Sequence, residues 1–158
     1  EQQLDYPLTI LDTEYYDEVN LSAYDVLILP NGWYSKFFNE NKLKELKEFV
    51  KNGGKLIAME GAIKGINGEH GFALKEKEIK KDSTENLETG TVVYLENTNS
   101  PIAGFAGSEA KKKIANTLVF GVEEVGKGQV IYMVDNPLFR GFWENGKLFF
   151  VNALFMVK

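Results

Sequence analysis

KLIAMEGAIKG, residues 55–65, is the stretch whose reading decides the fold. Four apolar residues after a lysine, Leu56 to Met59, run straight into Glu60-Gly61-Ala62. A continuous apolar run closed by a glycine-bearing turn reads as a strand buried on both faces, as in parallel sheets. A strand ending in so tight a turn presents its apical side chain at the top of an α/β sheet, where some enzymes hold a nucleophile. Here the apical residue is Glu60. Whether it does chemistry is the question the rest of the chain must answer.

Working outward, YDVLILPNG supplies a second buried strand, Val26 to Leu29, stopped by Pro30-Asn31-Gly32. Between the two strands, NENKLKELKEFVKNGG predicts a helix. Leu43, Leu46, Phe49 and Val50 recur at the helical period, with lysines and glutamates on the other face. Asn39 or Asn41 can cap its start, and Gly53-Gly54 supplies the left-handed residue at its end. Strand, helix and strand with short links form a βαβ unit, so the strands are expected to be parallel neighbours with a right-handed crossover.

YPLTILD predicts an earlier strand, Leu8 to Leu11. Residues 64–90 turn polar and glycine-bearing, an excursion of loop with room for one short helix. TVVYLE resumes as a strand, SEAKKKIANTL reads as a helix or turn, and LVFGVEEVGKGQVIYMV as two strands about Gly126-Lys127-Gly128. The last segment, GKLFFVNALFMV, is apolar nearly all round, which suits a helix buried against the sheet or against a partner. No internal repeat is visible. The order predicts one α/β domain over 1–158: a three-layer, doubly wound, mostly parallel sheet with a late hairpin.

Composition narrows the function. A domain of 158 residues buries roughly 68–70% of its unfolded surface. With 44% hydrophobic and 13% aromatic residues it has the material for a filled core. The net charge of −5 argues against nucleic acid as a partner, and Lys111-Lys112-Lys113 reads as a solvated helix face. The absence of cysteine removes thiol catalysis, disulfides and thiolate metal sites, without indicating a compartment. His70 is the single histidine, too little for a histidine-built zinc site. No stretch approaches the roughly 20 apolar residues of a membrane span.

YDVLILPNG, the helix after it and GGKLIAMEGA together resemble the class I glutamine amidotransferase-like fold, a flavodoxin-like sheet. The late segment GVEEVGKGQVIYMVDNPLFRGFWENGKLFFVNALF is similar to the amidotransferase-like domain at the C-terminal end of certain bacterial zinc carboxypeptidases, of the metallopeptidase superfamily. The likeness covers most of the chain, and DNPLFRGFW is its most specific piece.

The resemblance implies that the position of the amidotransferase cysteine falls on Glu60, the oxyanion-hole loop on Asn31-Gly32, and the place of the histidine on Asp135-Asn136-Pro137. Glutaminase chemistry needs a nucleophile with a base to activate it, and both are replaced. It also implies a non-catalytic accessory portion of a secreted or periplasmic metallopeptidase, with the parent's catalytic domain as partner. Zinc is then expected only in that catalytic domain, and no cofactor in this one. In the family a first, central strand and helix precede YPLTILD, and EQQLDYP reads as the tail of such a helix. The chain is therefore expected to lack its first βα unit. The sheet edge this opens invites pairing with a second copy.

Each candidate has two readings. Glu60 is a general base at the ligand-bearing edge of the sheet, or a turn residue standing where a cysteine was lost. Asp135 is its best acid–base partner, or caps the turn before Pro137. Arg140, among aromatics, is an anion site or a cation stacked on rings. Trp33 and Tyr34, with Trp143, are a stacking platform for sugar or peptide, or core and interface. His70 reads as a surface histidine, and Gly126-Lys127-Gly128 lacks the spacing of a phosphate loop. An independent hydrolase using Glu60, and a carbohydrate- or peptide-binding module, stand as alternatives to the accessory domain.

Overall fold

The computed structural model describes residues 7–34, 36–66, 72–74, 91–94, 118–141 and 144–157. Strand β1 (Val26–Leu29) leads through a loop into α1 (Glu40–Lys51). Asn39 caps that helix, its Oδ1 accepting from the Lys42 amide at 2.9 Å. Leu43, Leu46, Phe49 and Val50 are buried along one stripe, as the periodicity predicts. Gly53, at φ 117°, turns the chain into β2 (Lys55–Met59). β1 and β2 pair in parallel, Val26 opposite Lys55 through Leu29 opposite Ala58.

After β2 come a 3₁₀ turn (Glu60–Ala62) and the short helix α2 (Ile63–Ile66). Strand β3 (Thr91–Tyr94) follows, then the hairpin of β4 (Leu118–Val125) and β5 (Gly128–Met133). Helix α3 (Glu144–Phe155) closes the chain. The strand order is β1-β2-β5-β4-β3. β5 pairs parallel to β2 and antiparallel to β4, and β4 pairs antiparallel to β3. Four of the five strands therefore point one way, a general α/β sheet with one reversed strand.

Alternation along the central strands divides the core in two. Leu56, Ala58, Val130 and Tyr132 pack with α1 on one face. Ile57, Met59, Ile131 and Met133 meet Ala153, Phe150 and Leu154 of α3 on the other. Both faces of β2 and β5 are covered, which is why their sequences are apolar runs rather than alternating ones.

Two glycines are required by close approach. A Cβ on Gly128 would strike the carbonyl oxygens of Gly54 and Val50, so the β4–β5 hairpin lies directly against the end of α1. One on Gly146 would strike the Pro137 carbonyl oxygen, which accounts for a glycine inside α3. The end of α3 is held from β2: Lys55 Nζ donates to the carbonyl oxygens of Ala153 at 3.2 Å and Leu154 at 2.9 Å. A cation there also complements the helix dipole.

The expected strand at Leu8–Leu11 is not formed. Residues 7–12 carry no regular secondary structure and pair with no described strand. Leu8 and Ile10 are 51% and 84% exposed, so neither ladder bonds nor burial fix the segment. The expectation for the terminal helix is met on one side only. Ala153 is buried, whereas Leu148 and Phe149 face solvent. Most of the 64–90 excursion, and the Lys111-Lys112-Lys113 segment, lie outside the described residues.

Candidate functional site

β1, β2 and β5 are parallel and in register, so the loops leaving their C-terminal ends emerge along one edge. That edge collects Asn31, Gly32 and Trp33 after β1, Glu60 after β2, and Asp135 after β5. In open α/β sheets it is the usual place for a ligand.

Glu60 sits there with φ 46°, in the left-handed region that a side chain ordinarily avoids. Such backbone costs of order 1–3 kcal/mol and persists only where its surroundings impose it. The imposing contact comes from the neighbouring loop: the Gly61 amide donates to Asn31 Oδ1 at 3.1 Å. A Cβ on Gly61 would lie 2.8 Å from both Asn31 Oδ1 and the Gly32 carbonyl oxygen. The β1 and β2 end-loops are thus clamped together, and glycine at 61 is what lets them approach. One carboxylate oxygen of Glu60, Oε2, is buried and has no hydrogen-bond partner among the described residues.

The other candidates are arranged less like a reaction centre. Asp135 Oδ1 accepts from the Asn136 amide at 2.8 Å, and Asn136 Oδ1 from the Leu138 amide at 2.9 Å. Both side chains serve the turn that leads to Pro137 and α3. Arg140 is exposed and, like Glu60, left-handed, at φ 52°. Trp33 is 94% exposed, while Tyr34 turns inward and stacks on Phe38 at 5.6 Å between ring centroids. Two adjacent aromatics therefore divide, one to solvent and one to the core. Trp143 and His70 lie outside the described residues.

Two clefts lie elsewhere. One, of about 450 Å³, sits at the opposite, N-terminal end of the strands between Asp25, Glu45, Glu48 and Gly54. The other, of about 360 Å³, runs along the outer edge of β1, and neither is lined by Glu60. Among the described residues no group of three or more His, Asp or Glu is placed to hold a metal ion. No described helix is long and apolar enough to cross a membrane.

One part-buried polar cluster escaped the sequence reading. The Tyr132 hydroxyl donates to Glu123 Oε2, and both oxygens of that carboxylate accept from the Ala73 amide at 3.0 Å. Burial, then the Glu123 hydrogen bond and charge, push the Tyr132 phenol well above its ordinary range. The signal available was weak: the hairpin register pairs Gly121 with Tyr132, putting Glu123 diagonally across from it. Nothing local marks Ala73 as the third member.

No known family model matches this sequence, and no curated protein or solved structure matches it either.

Proposed function

We propose that this chain is a non-catalytic domain of the class I glutamine amidotransferase-like type, whose strand-end edge has kept its backbone shape without its chemistry. The observation that carries this is Glu60: a left-handed residue at the end of a central parallel strand, clamped by the loop after the preceding strand. A strand-to-helix turn of that shape is how α/β hydrolytic enzymes raise a nucleophile. A carboxylate there has no sulfur to attack with, and the chain has no cysteine to replace it. The position beyond β5 carries Asp135, whose carboxylate is engaged by the next backbone amide rather than by Glu60.

On the DNPLFRGFW likeness, the domain is an accessory part of a secreted or periplasmic bacterial zinc carboxypeptidase, packing on its catalytic domain or presenting a ligand site through Asn31, Gly32, Trp33, Glu60 and Arg140. Zinc would belong to that catalytic domain alone. The coding sequence upstream of Glu1 tests this. A metallopeptidase domain with two histidines and a glutamate as zinc ligands is the expected finding; an unrelated domain, or a start codon close by, contradicts it.

The second reading, a hydrolase using Glu60, draws on one fact: the buried, unpartnered Oε2. A lone carboxylate is half of an acid–base pair, and hydrolysis needs two groups with separated pKa values. A binding module working through Trp33 draws on the exposure of that indole.

A further inference from the structure

β1 is an edge strand, and no described strand pairs with its outer side. The Lys55 amide donates to the Asp25 carbonyl oxygen at 2.9 Å, so Asp25 faces β2. Alternation then turns the amide and carbonyl groups of Val26 and Ile28 outward. The cleft of about 360 Å³ lies against this edge. Val26 and Ile28 line it from one face of β1 and Leu27 and Leu29 from the other, so it lies in the plane of the sheet. Its far wall is the segment Leu8–Thr13. The result is a slot lined by aliphatic side chains of β1 and of residues 8–11 and by the rings of Tyr16, Tyr24, Tyr34 and Phe37, beside a β1 backbone edge that no described strand pairs.

The chain carries one described segment suited to fill it. Residues 7–12, PLTILD, hold three aliphatic side chains, have no regular pairing, and leave Leu8 and Ile10 largely in solvent. They cannot fill their own slot, being its wall. We propose that the slot of one molecule takes residues 8–11 of a second copy, and gives its own 8–11 in return. The strand order is then β2-β1-(8–11 of the copy)-(8–11)-β1 of the copy-β2 of the copy. In that order each segment is at once the wall of its own slot and the filler of the other. A two-fold axis between the exchanged segments makes the contact self-complementary and closed. The dimer gives a partner to the β1 edge that no described strand covers.

Sedimentation equilibrium on the intact chain tests this, with a dimer of twice the 17.8 kDa chain mass expected. Ile10→Asp, at a position 84% exposed and so harmless to the monomer, is expected to leave monomer with an unchanged circular dichroism spectrum. Because the chain has no cysteine, single cysteines at positions 8, 9, 10 and 11 report directly. At least one forms a disulfide-linked dimer on oxidation, and Lys127→Cys on the remote hairpin does not. A monomer at all concentrations overturns the proposal. So does a dimer that survives Ile10→Asp but is broken by Leu148→Asp, which would move the contact to the exposed side of α3. A monomer that binds an added PLTILD peptide also overturns it, leaving a strand-acceptor slot without the second copy.

Discussion

Glu60 combines a costly backbone with a side chain that gains little from it in the fold. A left-handed non-glycine residue costs roughly 1–2 kcal/mol, and glycine there gives back about 0.5–1 kcal/mol in unfolded-chain entropy. Glu60→Gly is therefore expected to be neutral or to stabilise by up to about 1 kcal/mol in urea denaturation. Glu60→Ala keeps the strain and gains nothing comparable. A Glu60→Gly variant clearly less stable than Glu60→Ala would show that the backbone at this position is not strained. At the same scale, Tyr132 makes alkaline stability a readout. Its folded-state pKa is raised above the ordinary 10.0, so the folded protein keeps a proton that the unfolded chain releases above that pH. Stability is full below pH 10.0 and falls as the pH rises beyond it. Tyr16 and Tyr34 are shifted upward by burial too and add to the loss. Tyr132→Phe should cost about 1.5–3 kcal/mol near neutrality, the range for a hydrogen bond to a charged group, with the lower end expected for this part-buried one, and flatten the alkaline decline. Thermal melts at pH 7 and 11 would show both effects. None of this was legible beforehand, because a tyrosine and a glutamate nine positions apart acquire meaning only when the hairpin register brings them together.

At the scale of elements, the sequence was most informative where pattern and punctuation agree. α1 has an asparagine cap, a regular apolar stripe and a terminal glycine, and each sits where the pattern puts it. β2 and β5 were legible as buried strands because both of their faces meet a helix. PLTIL misled because apolar composition suits a strand, while a strand also needs a neighbour to bond to, and composition cannot supply one. α3 is held by features no periodicity reveals: a distant lysine at its end and a glycine against Pro137. Lys55→Met should remove the helix-end cation and cost about 0.3–1 kcal/mol, rising toward about 2 kcal/mol for a partly buried site. Gly146→Ala sets helix propensity against a clash with backbone. A Cβ cannot share space with the Pro137 carbonyl oxygen, so the clash wins and α3 shifts off the sheet. A loss of roughly 1–3 kcal/mol by chemical denaturation is expected, typical of overpacking. No loss would mean that α3 is not seated on Pro137.

Across the whole molecule, the sheet has two unlike borders. At the C-terminal ends of the parallel strands, two loops are locked together around a strained glutamate. Along β1, no described strand covers the outer backbone, beside an aliphatic segment that pairs with none of the described strands. The turn at the first was foreseeable, since strand ends are written in local sequence, whereas the Asn31 clamp and the left-handed Glu60 were not. The dimensions of the slot were not, because they depend on how residues 7–12 and β1 lie together in space. We propose that the apex at the first border, bent like the turn that raises a nucleophile in α/β enzymes, has no catalytic use. Steady-state hydrolysis of glutamine, p-nitrophenyl esters and short peptides, by wild type and by Glu60→Gln, measures it most directly. Rates at the buffer background for both proteins are predicted. Turnover by the wild type that Glu60→Gln abolishes, with the fold intact, would contradict it.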